Sequence, residues 1–161
     1  MNGVPAWLPP LLCLPDCEGD WERYLEAVYQ VFRADFVESA PQLAGRRCGL
    51  RHPELIEGKE GTFWHIISEG LVEAERLPDL RRCERIRWPR AMIESVGTGR
   101  VRGWRYRRNG DRRISIALDD FAYLIVLVDR SSYVLLLTAF RVERDRRREK
   151  LRREYENSLK C

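Results

Sequence analysis

Apolar residues first return at helical spacing in Trp21, Tyr24, Leu25, Val28, Val31 and Phe32, which fall on one face of a helix that Asp20 is placed to cap. From Arg100 the period shortens to two. Trp104 and Tyr106 alternate with Gly103 and Arg105, and Ile114, Ile116 and Leu118 alternate with Ser115 and Ala117. Asn109-Gly110 between these runs is a strong type I′ hairpin signal. Asp119-Asp120 predicts another turn. Two nearly unbroken apolar runs follow, Phe121 to Val128 and Tyr133 to Phe140, as expected of strands covered on both faces.

The middle of the chain is less regular. Pro41, Gly45, Gly49, Pro53 and Gly58 leave residues 40–61 without a sustained period, which predicts a long irregular segment. Thr62 then reads as an N-cap and Gly70 as a closing residue, placing His65 in the first turn of a short helix. A second helix is expected from Pro78 to about Arg87, stopped because Pro89 disfavours helical angles at Trp88. It carries a buried stripe of Leu80, Cys83 and Ile86, with Arg81, Arg85 and Trp88 on another flank. Residues 143–161 show only Leu151, Tyr155 and Leu159 as a thin apolar stripe among arginines, which reads as a mostly solvated basic helix. Helices first and strands after give an α+β domain: N-terminal helices packed on a four-stranded antiparallel meander, with a basic C-terminal helix. The expected boundaries are a proline-rich segment at 1–18, a single domain at 19–142 and the basic helix at 143–161.

Composition changes this picture mainly through charge. The net charge of +4 conceals a split, since residues 81–161 hold 22 Lys/Arg against 11 Asp/Glu while residues 1–80 hold 7 against 14. Nearly all the basic residues of the second half are arginine, whose planar fork suits phosphates and stacks on bases. A nucleic-acid partner follows as one reading, and ion pairs within the fold as the other. Cys13, Cys17, Cys48, Cys83 and Cys161 lack zinc-ligand spacing and an even disulfide count, so reduced thiols in the cytoplasm are expected. The apolar start is broken by Pro5, Pro9, Pro10 and Pro15 and lacks an early positive charge, making it a poor signal peptide. Asp129, Arg130, Ser131 and Ser132 divide the long apolar run into halves too short to cross a bilayer as helices.

His65 and the arginines after it carry the candidate chemistry. At a helix N-terminus the imidazole would be held neutral and ready to take a proton from a ribose 2′-hydroxyl, although Phe63, Trp64, Ile66 and Ile67 would equally bury it as a core residue. His52, ahead of Pro53, is the other candidate base. Arg81, Arg82 and Arg85 are placed to stabilise charge on a five-coordinate phosphorus, with Glu84 orienting one of them or serving as a base. Arg87, Trp88 and Arg90 extend the same run toward a substrate. Thr138 puts a hydroxyl in an otherwise apolar strand, and Arg102, Trp104, Arg105 and Tyr106 could stack on and hold single-stranded RNA, with Trp104 equally a core residue. No Walker-type phosphate loop, dinucleotide turn, serine nucleophile elbow or HExxH pattern occurs. No cofactor or metal is implied.

With a histidine in the helical part and Thr138 in the last of four strands, this order resembles the barnase, EndoU, colicin and RelE-like group of small ribonucleases. The segments Gly61-Thr-Phe-Trp-His-Ile-Ile-Ser-Glu-Gly70 and Pro78-Asp-Leu-Arg-Arg-Cys-Glu-Arg-Ile-Arg-Trp-Pro-Arg90 are similar to its phage- and prophage-borne members. The resemblance spans residues 20 to 155. It implies metal-independent endonucleolytic cleavage of RNA, tRNA among the candidates, by a toxin or phage-defence protein. His65, Arg82 or Arg85, and Thr138 would do the work, and any lysine role passes to arginine or is absent, because Lys59, Lys150 and Lys160 are the only lysines and none stands at a site position. An antitoxin or immunity protein would be a partner, and a homodimer would fit if the helices covered one face of the sheet. The alternative is a non-catalytic nucleic-acid or protein-binding module from a mobile element.

Overall fold

Asp20 caps the first helix as its sequence predicts, its carboxylate accepting the Arg23 N–H at 3.2 Å, and α1 (Trp21–Phe36) follows in the computed structural model, which describes residues 4–70 and 72–160. Tyr24, Val28, Tyr29, Phe32 and Phe36 form its buried face, while Trp21 stays outside at 39% exposure.

The segment expected to be irregular is built largely of short strands. β1 (Gln42–Leu43) and β2 (Arg46–Leu50) form a hairpin whose turn residues, Ala44 and Gly45, both have positive φ. That is the signature of a type I′ turn. β3 (Leu55–Ile56) and β4 (Lys59–Glu60) repeat the device around Glu57 and Gly58.

The next helix differs in register from expectation. α2 (Gly61–Ile67) has Glu60 at its N-cap, and the Thr62 hydroxyl instead accepts from the His52 N–H at 2.9 Å and donates to the His52 carbonyl at 3.3 Å. His65 therefore lies in the last turn, where the dipole favours a cation, so the argument for a neutral base from the N-terminus does not hold. Gly70 lies beyond the helix and its extended cap Ser68, past β5 (Ser68–Glu69), which pairs with β6 (Leu77–Pro78).

Arg81 to Arg90 make two helices rather than one. Asp79 caps α3 (Leu80–Glu84), Arg85 to Arg87 form a turn, and α4 (Trp88–Ile93) begins with Pro89 inside its first turn. Proline is tolerated there because that backbone nitrogen has no helical acceptor to lose. Pro89 starts a helix instead of stopping one, and Trp88 is itself helical.

The long strands follow: β7 (Val101–Arg108), β8 (Asp111–Leu118), β9 (Tyr123–Asp129) and β10 (Val134–Arg141). They pair antiparallel in sequence order, with Asn109 and Gly110 at positive φ in the first turn as expected. The sheet does not end there. β2 adds to β10 in parallel, giving six strands in the order β1-β2-β10-β9-β8-β7, so the four-stranded meander is part of a larger mixed sheet.

Two cores lie on its two faces. The first unites α1 through α4 with the sheet, around Phe32, Phe63, Ile67, Met92 and Ile125. The second contains Trp104, Phe121, Leu124, Val126 and Leu151, the last from α5 (Asp145–Ser158). The basic helix is thus a third layer, seated by Leu151 and Tyr155, and it occupies the face on which a dimer was expected to have room. Leu159, third in the expected stripe, is exposed. Among the described residues no helix is long and apolar enough to cross a membrane.

Candidate nucleic-acid interface

A one-residue irregularity in β10 decides what faces α5. The register to β9 shifts between Leu136 and Thr138, as a β-bulge does. Leu136 and Ala139 consequently face the first core, whereas Leu137 and Phe140 pack on the second and Thr138 lines the same side. Regular alternation would have put Thr138 beside Leu136, toward the helices. The bulge turns it to the α5 face instead. There it completes a row of directly paired residues across four strands: Trp104, Ser115, Val126 and Thr138.

This row floors a groove of about 730 Å³ between the sheet and α5. Arg105, Arg107, Arg108 and Arg113 line its sheet wall and Arg147 and Lys150 its helix wall, with Glu154 the acidic member. Tyr106 and Phe140, both half-buried, offer aromatic surface. A second groove of about 700 Å³ continues from it, sharing Phe140, Arg147 and Lys150, and adds Arg82, Arg141, Arg144 and Arg153. Where the two meet, the guanidinium carbons of Arg82 and Arg147 lie 5.4 and 5.2 Å from the centre of the same Phe140 ring.

Of the residues predicted from sequence, Arg82 and Arg85 are the most constrained. Arg82 Nη1 donates to the Ser68 carbonyl at 2.6 Å, and Arg85 Nη1 donates to the Arg81 carbonyl at 2.9 Å while its guanidinium lies 5.1 Å from the Trp88 ring. Burial, then the neighbouring Arg76, pulls the Arg82 guanidinium below its ordinary pKa; burial, then Arg141, does the same at Arg85. Both remain cations, because arginine starts so far above neutral pH. Part of this charge is already met inside the fold, by Asp79 at 3.9 Å from Arg82, Glu84 at 3.7 Å from Arg85 and Glu143 beside Arg141, and Glu69, Asp79 and Glu143 are the acidic members of the second groove. Arg81 instead faces Glu84, with Nη1 at 3.0 and 3.1 Å from its two carboxylate oxygens.

The other predicted contacts divide between structure and groove. Trp88 is buried, with its indole N–H on the Pro9 carbonyl at 3.2 Å, and Arg87 donates to the Pro10 carbonyl, so both secure the proline-rich segment. Arg90 donates to the Asp35 carbonyl and to Ser39 Oγ, tying α4 to the end of α1. Arg102 donates to the Gly99 carbonyl and lines neither groove. Trp104 and Arg105 do line the first, Trp104 as a buried floor residue whose indole N–H has no hydrogen-bond partner among the described residues. Glu84, the other suggested base, is buried between Arg81 and Arg85.

His65, Arg82 and Thr138 do not share a groove. Thr138 lines the first, Arg82 the second, and His65 neither. Arg76 Nη2 donates to the His65 backbone carbonyl at 2.9 Å and also to the Ser68 carbonyl that receives Arg82, and Arg82 lies over the ring of Phe140, two residues along β10 from Thr138. His52 is partly exposed, its Nδ1 3.4 Å from Glu54 Oε1.

Sequence reasoning missed the helix wall. Arg147 and Lys150 read as solvated charge, yet the signal was present: Arg147 stands four residues before Leu151, the residue that seats α5, and so occupies the same face. Arg113 and Arg141 were missed because nothing in a strand pattern says which arginines border a cleft. The chain matches no known family model, no curated protein and no solved structure.

Proposed function

We propose that the protein acts on RNA, holding an unpaired stretch of the strand along the two joined grooves. The observation that carries this is their junction at Phe140, where cations from two layers of the fold, Arg82 below and Arg147 above, share one aromatic ring. Stacked bases with flanking phosphates call for this combination, since aromatic faces accept any base and arginines track the backbone. Trp104, Tyr106 and Arg105 supply further floor and rim.

Cleavage of the bound strand without a metal ion is the stronger form of this reading. It requires a fixed cation for the developing phosphorane charge and a hydroxyl to hydrogen-bond it at one phosphate, whereas Arg82 and Thr138 line different grooves that adjoin at Phe140. His65 would be the general base and is the weakest member, because it lines neither groove. Without it the protein is a binding module, which the same grooves serve equally well.

One experiment separates the two forms. Purified protein is incubated with total tRNA in excess EDTA, beside His65→Ala and Thr138→Val. Cleavage by wild type that both variants lose supports the ribonuclease. Intact RNA together with binding that weakens steeply as salt rises leaves the binding module. No cleavage and no salt-dependent binding would end the RNA reading in both forms.

A further inference from the structure

Resting on the RNA reading above, we infer that α5 is one jaw of a clamp for single-stranded nucleic acid, with Arg147 and Lys150 as its phosphate contacts. The two walls of the first groove carry the same charge. Arg108 and Arg113 stand on the sheet, on the face that Trp104 and Tyr106 share, and Arg147 and Lys150 on the helix, and neither of the last two has a carboxylate partner among the described residues. Like charges facing each other across a gap repel. A phosphodiester chain laid between them converts that repulsion into attraction at both walls.

The seat of α5 is consistent with such a jaw. It rests on Leu151 and Tyr155, with Arg148 Nε donating to the Val142 carbonyl at 2.7 Å and Arg152 over the Phe121 ring at 5.0 Å. These contacts lie on the sheet side of the helix and leave Arg147 and Lys150 directed to the grooves they both line. The occupant is single-stranded because the aromatic surface is recessed. Tyr106 is half-buried on the floor, and a base reaches it face-on only when it is unpaired.

The test uses a short fluorescent 2′-O-methyl oligouridine, which lacks the 2′-hydroxyl nucleophile and so reports binding alone. Anisotropy is measured for the full chain, for R147Q/K150Q, and for R33Q, whose arginine lies on α1 and lines neither groove. The paired variant is expected to lose about tenfold or more in affinity at low salt, and the slope of log K against log salt to shrink by about 1.4, the value for two phosphate contacts on a single strand. R33Q should bind as wild type does, and a self-complementary duplex of equal length should compete poorly. Wild-type binding that R147Q/K150Q retains, or that R33Q loses equally, overturns the clamp while leaving the RNA reading in place; so does equal competition by duplex. Absence of binding by wild type overturns both. Circular dichroism of each variant checks folding, and if the paired variant is misfolded, protection of the α5 amides from hydrogen exchange on adding the oligonucleotide to wild type replaces it: protection supports the clamp and none overturns it.

Discussion

Removing Arg46 should loosen the parallel strand β2 from β9 and β10. Arg46 opens β2, and its Nη1 lies 2.8 Å from Asp129 Oδ1 at the end of β9 and 3.0 Å from the Ser131 carbonyl in the following turn. Asp129 Oδ1 also accepts the Ser131 N–H at 2.9 Å. The side chains are 21% and 10% exposed, so the pair is largely but not wholly withdrawn from water. A hydrogen bond to a charged group contributes about 1.5–3 kcal/mol, and stripping a buried charge of its partner costs about 3–5 kcal/mol. Because Asp129 keeps its Ser131 contact and Arg46 retains some water, Arg46→Ala should cost about 2–3 kcal/mol. For a chain of this size that lowers Tm by about 4–12 °C. The coupling in a cycle with Asp129→Asn should be about 1–2 kcal/mol.

The pH dependence gives a second readout. Burial alone would raise the Asp129 pKa, but the Ser131 N–H and the Arg46 guanidinium outweigh it and hold the carboxyl below its ordinary value. A depressed folded pKa means stability that is present above the unfolded value, about 3.9, and lost as pH falls through the folded one. The gap in urea midpoint between wild type and Arg46→Ala should therefore narrow below about pH 4. Additivity within about 0.3 kcal/mol in the cycle, or a gap unchanged from neutral to strongly acidic pH, would refute the assignment of this pair as the anchor of β2.

Leu151→Asp places a charge in the contact that seats α5, and the second core beneath it should open: dye binding to exposed apolar surface should rise and the α5 amides exchange faster, while amides of α1 keep their protection. Loss of protection throughout the chain would show that α5 is integral to the whole fold. Burial pushes the Cys48 and Cys83 thiols up to about 12, so iodoacetamide at mildly alkaline pH should label both only after unfolding, as mass spectrometry of peptides would report. Labelling of either in the native protein would contradict its burial.

How far sequence reaches into this molecule follows the range of the interactions involved. The Asp20 cap, the α1 stripe and the Asn109-Gly110 hairpin were legible because each is closed by neighbours a few residues apart. The strands of the meander were legible for the same reason, since each pairs with the next across a short turn. β2 was not. Its sequence, Arg46-Arg-Cys-Gly-Leu50, has no clean alternation, and it becomes a strand by pairing in parallel with residues 134–136. That contact brings together segments more than eighty residues apart, and no local pattern encodes it. The site divides in the same way. Arginine abundance in the second half was written in the chain, but which arginines are used up was decided by tertiary contacts: Arg82, Arg87 and Arg90 on backbone carbonyls, Arg81 on Glu84, and Arg147 over Phe140. The bulge that turns Thr138 toward α5 arises from pairing geometry with β9, and His65 changed ends of its helix because Thr62 bonds to His52 rather than capping. Sequence by itself determined α1, the strands of the meander with their turns, and the sign of the charge. Only the tertiary structure decided the sixfold sheet, the layer formed by α5 and the groove between them, because a cleft exists only where surfaces distant in the chain come together and leave a gap.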